Sequence, residues 1–340
     1  MIHKNALYAI DKTLQDLRRN RRLMGGVPVL LAGDFRQTLP IISKGTPADE
    51  VSACLRKSDF WKNVESRRLT TNMRARLQNA PTIAEFSRTL LAIGNGSIAA
   101  DANGMIDMTQ IGECVNNTNE LFDKVYPDLA ANVHDIEWLC SRALLAPKND
   151  EVDKLNTLLL AQIDGEMKCY NSVDTVTDPE MATSFPVEFL NSLDLPGMPP
   201  HKLELKIGCP VILLRNLNAP ILCNGTRLKI KTLHPNVIEA IIMTGQGKGK
   251  TTFIPKMPMI PSDSPYPIRR LQFPLRPSFA MTINKSQGQS LEVVGLHLQT
   301  QCFSHGQLYV ACSRVGRPDK LFIYTPGNRA KNVVYKAALQ

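Results

Sequence analysis

The stretch VPVLLAGD, residues 27–34, is the feature that most restricts the fold of this 340-residue chain. It is an apolar run of strand length that ends in Gly-Asp, and it follows a segment from Asn5 with apolar side chains at helical spacing. A strand that is buried on both faces is a continuous apolar run, and in parallel sheets the functional loops follow its carboxyl end. The stretch therefore predicts a central parallel strand of an α/β fold, with the preceding helix packed on the sheet.

A second strand and helix of the same kind are predicted from about residue 142. Arg142–Ala146 is an apolar run of strand length, and a helical pattern follows it. The inward face of that helix is predicted to contain Val152, Leu155, Leu158 and Leu159. Residues 81–96 also predict a helix. From Pro196 to Pro277 prolines are frequent and short β-type runs dominate, which predicts a small all-β insertion.

The segment TGQGKGKTTFIPK, residues 244–256, is similar to a phosphate-binding loop but has the wrong spacing. A Walker A loop needs a glycine, four residues and then Gly-Lys-Ser/Thr, because that length wraps backbone N–H groups around phosphates before a helix begins. Thr244 stands where the first glycine should be, and Gly245 leaves only three intervening residues before Gly249. The flanks are β-branched and stop at a proline, so the pattern favours a strand–turn–strand hairpin over a phosphate loop.

Composition limits the partners and the compartment. The net charge of +9 indicates a polyanionic partner, although a basic balance also fits a solvated surface. The eight cysteines are scattered without a C-x-x-C pair, and no two histidines have ligand spacing, so neither a metal site nor a disulfide framework is expected. No apolar run approaches membrane-spanning length. We therefore expect a cytosolic or nuclear protein with no membrane partner.

Four polar stretches carry candidate chemistry, namely AGDFRQTLPI, LTTNMR, FAMTINKSQGQSL and HGQLYVACSRV. Taken singly, they also fit structural roles: a Gly-Asp turn, a surface arginine, a helix cap and a salt-bridged arginine. Their order and joint presence resemble motifs III, IV, V and VI of the Pif-type (petite integration frequency) superfamily 1 DNA helicases, which include the helicase part of Helitron transposons. The segments LKIGCPVILLRNLNAPILCNGTRL and FIPKMPMIPSD are similar to the β-barrel insertion of that family.

The resemblance covers nearly the whole chain and corresponds to the C-terminal two thirds of the family's helicase region. It implies an α/β fold: a RecA-like P-loop NTPase helicase core with a truncated first domain and a small all-β barrel inserted in the second RecA-like domain. The implied segments are a truncated first RecA-like domain (1–78), a helical connector (79–130), the first part of the second RecA-like domain (131–200), the β-barrel insertion (201–272) and the second part of that domain (273–340).

The same resemblance assigns nucleotide-site residues. It implies that Gln37 senses the γ-phosphate or positions the attacking water, and that Arg74 and Arg314 neutralise charge on the transferring phosphoryl group, a role worth about 10³–10⁵ in rate where an arginine finger operates. These three residues are the implied catalytic set. The implied ATP-binding set is Gly33, Asp34, Gln37, Arg74, Gln287, Gly288, Gln289 and Arg314.

The resemblance also assigns contacts to the backbone of single-stranded DNA, which carry affinity without sequence information. The implied DNA-binding residues are Thr282, Asn284, Lys285 and Ser286, with Lys248 and Lys250 of the predicted hairpin. Family members often have His where this chain has Asn284, so a stacking or imidazole contact is not carried over to that position.

The chain departs from the family at its phosphate-binding parts. It contains no Walker A sequence, and no Asp-Glu pair precedes the first helix. The family implies ATP, Mg²⁺ and movement from 5′ to 3′ on DNA, whereas we expect this chain alone to hydrolyse no ATP because the Mg²⁺ ligands and the phosphate lysine are missing. A truncated gene model or a decayed transposon copy would account for this.

Two alternatives remain open: a non-catalytic single-stranded DNA-binding fragment, and a remnant whose incomplete first sheet folds poorly. We expect a nuclear protein, with the mitochondrion as an alternative, and a role in DNA repair, recombination, telomere maintenance or transposition.

Overall fold

The computed structural model describes residues 2–42, 44–69, 81–181, 183–261 and 264–340. The helices are α1 (Lys4–Arg18), α2 (Pro47–Ala53), α3 (Pro81–Asn95), α4 (Thr118–Val125), α5 (Leu129–Asn132), α6 (Ile136–Cys140), α7 (Asn149–Ala161), α8 (Val187–Ser192), α9 (Gln307–Cys312) and α10 (Lys336–Leu339). The strands are β1 (Met105–Asp107), β2 (Glu113–Cys114), β3 (Arg142–Ala146), β4 (Lys168–Asn171), β5 (Val173–Val176), β6 (Lys202–Leu205), β7 (Pro210–Leu213), β8 (Arg227–Leu233), β9 (Val237–Ile242), β10 (Thr251–Pro255), β11 (Met257–Met259), β12 (Ile268–Gln272), β13 (Leu275–Pro277), β14 (Ala280–Thr282), β15 (Val293–His297), β16 (Leu321–Tyr324) and β17 (Arg329–Lys331).

The chain forms two compact units. The first unit comprises residues 1–121 and 286–340, and the second comprises residues 122–285. Both are mixed α/β and contain parallel strands, since β15, β16 and β2 are parallel neighbours in the first unit and β14 lies parallel to β3 in the second. The α/β class predicted from the sequence is therefore confirmed, while the five predicted segment boundaries stay predictions.

The strand β3 and the helix α7 that follows it form as predicted. All five residues of β3 are buried, and Val152, Leu155 and Leu159 of α7 are buried as well. The prediction for Leu158 was wrong, because that side chain is 52% exposed. Asn156 is buried on the inward face, where its amide accepts from the Ala280 backbone N–H at 2.8 Å and donates to the Ala280 carbonyl at 3.1 Å. A polar side chain therefore joins α7 to β14.

Antiparallel strands fill most of the predicted insertion. One five-stranded sheet has the order β10-β9-β8-β7-β13, with every neighbouring pair antiparallel. The strands β11, β12 and β5 form a second antiparallel sheet. This five-stranded order has two ends among the described strands, so the predicted small all-β barrel is not confirmed. The segment 244–256 is the turn and second strand of the β9–β10 hairpin, as the strand–turn–strand interpretation predicted.

The predicted central strand at residues 27–34 does not form. The segment has no strand assignment, and its residues 28–33 are exposed, with Leu30 at 93%. A central parallel strand needs a hydrogen-bonded neighbour on each side, and none of the sheets among the described residues includes the segment 27–34. An apolar run without such neighbours therefore stays as extended coil.

The first helix forms, but its apolar face is only partly covered. Leu7 is buried in a small cluster with Met24 and Leu55, whereas Ile10 and Leu17 are exposed. The expectation that α1 packs on a sheet was wrong, because its buried Leu7 packs on the 3-10 turns Leu23–Gly26 and Leu55–Lys57 instead. The prediction of a helix at 81–96 was correct to within one residue, as α3 shows. Within the described residues, none of the helices has the length and apolar character needed to cross a membrane.

Candidate functional site

A tight turn at residues 34–37 holds the first of the predicted site residues, in the first unit. The Asp34 carboxylate accepts hydrogen bonds from the Arg36 backbone N–H at 3.1 Å and from Arg36 Nε at 2.7 Å. The Gln37 N–H donates to the Asp34 carbonyl at 3.1 Å. A short carboxylate that bonds to the backbone two residues later is a common way to fix a turn. The Asp side chain thus orders the turn directly after the exposed stretch 28–33.

The helix α9 holds this turn from the other side. The Tyr309 hydroxyl donates to Asp34 Oδ2 at 2.7 Å, and the Arg36 guanidinium carbon lies 5.6 Å from the centre of the Tyr309 ring. Gly94 of α3 leaves the space for this packing, because a Cβ there would lie 2.9 Å from Arg36 Cδ and from a ring carbon of Tyr309. The aspartate, the arginine and the tyrosine therefore form one packed polar cluster.

The electrostatics of this cluster favour a charged Asp34 and a neutral Tyr309. Burial raises the pKa of Asp34, but the hydrogen bonds from Arg36 and Tyr309 outweigh it, so the pKa of that carboxyl is lowered below its ordinary value of 3.8. Burial and the hydrogen bond to Asp34 raise the pKa of Tyr309 to about 12. At neutral pH the phenol therefore donates to a carboxylate, which is a charge-assisted hydrogen bond.

His305 makes a second connection to the turn. It is fully buried, its Nε2 lies 2.8 Å from the Phe35 carbonyl, and its Nδ1 lies 2.8 Å from the Tyr335 backbone N–H. A carbonyl can only accept and an N–H can only donate, so Nε2 carries the proton and Nδ1 does not. Burial lowers the pKa of His305 against the opposing effects of the Phe35 hydrogen bond and of Asp34, which fits this neutral tautomer.

Gln37 and Gln287, which lie 250 positions apart in the sequence, meet directly. Gln287 Nε2 donates to Gln37 Oε1 at 2.8 Å, and the hydroxyl of the buried Thr38 donates to Gln287 Oε1 at 3.2 Å. The side-chain amide of Gln287 thus donates through its nitrogen to Gln37 and accepts through its oxygen from Thr38, which directly follows the turn. Two side chains assigned to the same site from different sequence stretches are therefore hydrogen-bonded to each other.

Arg314 fixes the loop that carries Gln287. Its side chain is buried, with Nη1 donating to the Ser286 carbonyl at 3.2 Å and to the Gln289 carbonyl at 2.9 Å. Gly288 lies within this loop at φ 81°, a left-handed conformation that favours glycine. The guanidinium also donates to the Val310 carbonyl at 2.8 Å and to the Ser313 hydroxyl at 2.8 Å. In this arrangement the Arg314 side chain binds backbone carbonyls of α9 and of the loop that carries Gln287. Its assignment to a phosphoryl group stays a prediction.

The predicted DNA-binding residues of the second unit follow β14. Thr282 ends that strand, and Asn284 and Lys285 lie in the short 3-10 turn after it. Asn284 Oδ1 is buried without a hydrogen-bond partner in the described part of the chain. The Lys285 side chain reaches the surface, but the protein packed around it and the charge of Arg276 lower the pKa of the lysine, with Asp153 opposing them. Ser286 belongs to the first unit and is buried, so its hydroxyl does not face solvent here.

The two hairpin lysines lie in the turn between β9 and β10. Lys248 Nζ is 2.7 Å from the Glu137 carboxylate, and this contact raises the pKa of the lysine. Lys250 is exposed next to the start of β10. Because the segment is a hairpin turn and not a strand-to-helix loop, the structure gives it no phosphate-loop geometry.

Three further points concern the predicted site. Gly33 is exposed, and a Cβ there would touch nothing within 4 Å. Arg74 lies in Thr70–Ala80, outside the described residues. Across the described ranges no group of three His, Cys, Asp or Glu side chains could hold a metal ion, so those residues do not fit Mg²⁺.

Sequence reasoning missed Tyr309, His305 and Gly306. Gly306 has φ 71°, and a Cβ there would lie 2.2 Å from the Arg36 carbonyl oxygen. The stretch HGQLYVACSRV contains all three, but its apolar helical pattern gave no sign that they contact the turn at residues 34–37. A buried glycine, tyrosine and histidine are ordinary core residues, and only the tertiary structure assigns them here.

The parallel strands and the antiparallel insertion define an α/β protein, and comparisons with known proteins identify the fold. The sequence model of the PIF1-like helicase family matches residues 1–104, and the model of the DNA helicase Pif1 2B domain matches residues 188–233. The resemblance to Pif1-like helicases is therefore confirmed. The 2B match overlaps the predicted insertion and includes β6, β7 and β8.

Individual relatives agree with this family. The chain is 24% identical over 323 residues to the ATP-dependent DNA helicase PIF1 of Danio rerio, and 23% identical over 323 residues to that of Homo sapiens; both alignments include 92% of this chain. A Campylobacter jejuni ATP-dependent DNA helicase Pif1 is 23% identical over 312 residues, which include 87% of this chain and 62% of the relative. The chain spans only 43% of the length of the two vertebrate relatives.

Solved structures show the same fold. The crystal structure of Pif1 helicase from Candida albicans matches with a TM-score of 0.64 at 22% identity, over 100% of this chain and 73% of that one. Pif1 helicase from Bacteroides in complex with ADP-AlF3 and ssDNA matches with a TM-score of 0.66 at 21% identity, over 98% of this chain and 70% of that one. The RecA-like core predicted from the sequence is therefore confirmed at the level of the fold.

Proposed function

We propose that this chain is part of an ATP-dependent DNA helicase that moves from 5′ to 3′ on single-stranded DNA. The observation that carries the proposal is the contact between Gln37 and Gln287, completed by Thr38. It joins two stretches that resemble different helicase motifs. The relatives are named ATP-dependent DNA helicases, and one structural neighbour is a complex with ADP-AlF3 and ssDNA, which supports the same assignment.

The nucleotide side of the proposed motor lies in the first unit. We assign Gln37 to the γ-phosphate or its attacking water and Arg314, with Arg74, to the transferring phosphoryl group. Asp34 and Gly33 shape the turn, and the loop Gln287–Gln289 responds to what Gln37 binds. In the observed state Arg314 donates to the carbonyls of that loop. An arginine that is held by the loop can change the loop when a phosphate competes for its N–H groups.

The missing phosphate loop limits what the chain does alone. ATP, when bound, would supply the γ-phosphoryl group, with ADP as its leaving group, and Mg²⁺ would neutralise the charge of the phosphates in this class of reaction. The 340 residues contain no Walker A sequence, and no metal cluster is found among the described residues. We therefore propose that hydrolysis requires a phosphate loop and metal ligands that these residues do not supply, and that the chain alone hydrolyses no ATP.

The DNA side of the proposed motor lies in the second unit. We assign backbone phosphate contacts there to Thr282, Asn284 and Lys285 and to the hairpin residues Lys248 and Lys250, and we assign a further contact to Ser286 of the first unit. Lys285 and Lys250 have exposed side chains, and the chain carries a net charge of +9. Such contacts give salt-dependent binding without base preference. We also infer a nuclear or mitochondrial location and a role in DNA repair, recombination, telomere maintenance or transposition, on the resemblance alone.

The alternative is a non-catalytic single-stranded DNA-binding fragment. The departure from the Walker A sequence favours it. It shares the DNA contacts with the helicase proposal but needs no response of the Gln37–Gln287 contact to nucleotide. The two functions therefore differ in whether nucleotide changes DNA binding once a phosphate loop is provided.

Fluorescence anisotropy of a labelled single-stranded oligonucleotide tests the DNA part of the proposal. We expect binding whose logarithmic affinity falls linearly with the logarithm of salt concentration, and no change on adding Mg-ATP to this chain alone. Lys285→Ala should lower the affinity and reduce the salt slope by about 0.7, the value for one phosphate contact on a single strand. Lys12→Ala, which removes an exposed lysine paired with Asp16, is the matched control and should change neither.

No binding at low salt would overturn the proposal. DNA binding that changes on adding Mg-ATP would contradict the statement that the chain alone lacks a complete nucleotide site. Lys248 and Lys250 would then be the first candidates for a phosphate contact. An unchanged salt slope in Lys285→Ala would remove Lys285 from the DNA contacts.

A further inference from the structure

The excess positive charge of the chain is concentrated in its first unit. That unit contains 22 Lys and Arg residues against 14 Asp and Glu, whereas the second unit contains 18 against 17. Eight of the nine excess charges therefore belong to the first unit, although all but one of the residues proposed to contact DNA lie in the second. The first unit has the stronger positive charge, which attracts polyanions.

Four arginines of the first unit lie within residues 18–22, which we call the arginine loop. It begins at the last residue of α1, and its four exposed arginines are Arg18, Arg19, Arg21 and Arg22. Cations in the last turn of a helix complement its dipole, which is the ordinary explanation for such residues. Arg21 and Arg22 lie beyond the helix, so this explanation does not extend to them.

The backbone of the arginine loop is held by Asn20. Its N–H donates to the Gln15 carbonyl at 3.1 Å, and its Nδ2 donates to the Gly25 carbonyl at 3.1 Å. Its Oδ1 accepts from the Arg22 backbone N–H at 3.1 Å. The guanidiniums of Arg21 and Arg22 have no ion pair with any residue that the structure describes. Two charged side chains without a counterion are therefore carried on an ordered backbone.

The two carboxylates of α1 are engaged with other groups. Asp16 Oδ1 lies 3.1 Å from Lys12 Nζ. Asp11 accepts hydrogen bonds from Gln15 Nε2 at 2.8 Å and from the Met24 backbone N–H. The arginine loop also contains no aromatic residue. It therefore presents positive charge without a ring on which a base could stack.

Charge without a ring suits duplex DNA better than a single strand. Proteins that hold single strands without sequence preference stack the bases on aromatic side chains, whereas the bases of a duplex are already paired and stacked. A duplex also carries one negative charge for about 1.7 Å of its axis, which makes it a dense polyanion. We propose that Arg21 and Arg22 contact phosphates of duplex DNA. The proposal rests on the proposed helicase function and adds to it a second DNA site, which differs from the residues assigned to the single strand.

Fluorescence anisotropy of the full chain with two labelled DNAs of equal length, a blunt duplex and a deoxythymidine single strand, tests this site. Arg21→Ala/Arg22→Ala should reduce the salt slope for the duplex by about 1.8, because each phosphate contact on B-DNA contributes about 0.9. The same variant should keep the wild-type slope for the single strand. Arg21→Lys/Arg22→Lys retains both charges and should bind the two DNAs as the wild type does.

Lys331→Ala/Lys336→Ala is the matched control, because it removes two exposed lysines from the same unit and changes the net charge equally. It should change neither slope. Equal reductions in the two alanine variants would assign duplex binding to net charge and overturn the site, as would an unchanged duplex slope in Arg21→Ala/Arg22→Ala or an equal loss on the single strand. A wild-type chain that binds the single strand but not the duplex would overturn the site and leave the proposed function in place. If the wild type binds neither DNA, the proposed function fails and the duplex site fails with it.

Discussion

Two apolar segments of similar composition differ completely in their structure. Arg142–Ala146 forms β3, which is buried at all five positions and pairs in parallel with β14. Residues 28–33 form no strand and are exposed. The first segment has a hydrogen-bonded neighbour in β14. The helix α7 bonds to that neighbour through Asn156 and buries Val152, Leu155 and Leu159. The second has no strand neighbour among the described residues.

The difference shows that an apolar run becomes a strand only where other elements complete it. Backbone N–H and C=O groups that lack a ladder partner must bond to water, which keeps the segment at the surface. Even so, the carboxyl end of the exposed segment is ordered, because Asp34, Arg36 and Gln37 are held by α9 and by the Gln287 loop. Order at this end of the segment therefore comes from side-chain contacts and not from a sheet.

The largest expected effect is the difference in stability between two variants, each with one leucine of one segment changed to alanine. Leu144→Ala in β3 should lower the free energy of unfolding by about 2–5 kcal/mol, because it leaves a cavity in a fully buried strand. Leu30→Ala should change it by less than about 0.5 kcal/mol, because that side chain is already in water. Denaturant titrations of both variants against the wild type give the two values. A large loss from Leu30→Ala would mean that residues 28–33 are buried in solution.

The sequence predicted β3, α7, the β9–β10 hairpin and the α/β class, because each depends on a local pattern with a partner inside the chain. It failed at Val27–Asp34 and at Leu158, where burial depends on what packs on the element. In the candidate site, Gln37 and Gln287 were both predicted as ATP-binding residues, but the hydrogen bond between them was not predicted. Tyr309, His305 and Gly306 were missed, because their sequence pattern is that of a core helix and its cap.

A glycine substitution tests how α9 holds the turn at residues 34–37. Gly306→Ala should lower the free energy of unfolding by about 1–3 kcal/mol, because the residue has φ 71° and its new Cβ would lie 2.2 Å from the Arg36 carbonyl oxygen. Hydrogen exchange at residues 35–38 should accelerate, since the turn must move away. Gly288→Ala is the control: it has φ 81° with no atom within 4 Å of a Cβ, so it should cause strain without displacing the turn.

The smallest expected effect is a pH dependence that belongs to Asp34. Its pKa is lowered in the folded protein from the ordinary 3.8, so its ionised form stabilises the fold at pH values above 3.8, and that stabilisation is lost as pH falls through the folded pKa. Asp34→Asn should therefore be less stable than the wild type at pH 7, and the gap should narrow below pH 3.8 in denaturant titrations. Tyr309→Phe should show part of the same loss, because it removes one of the hydrogen bonds that lower the pKa. A gap that stays constant between pH 7 and pH 3 would mean that the turn after residues 28–33 is not held by an ionised Asp34, and that the two apolar segments differ less at their carboxyl ends than the structure indicates.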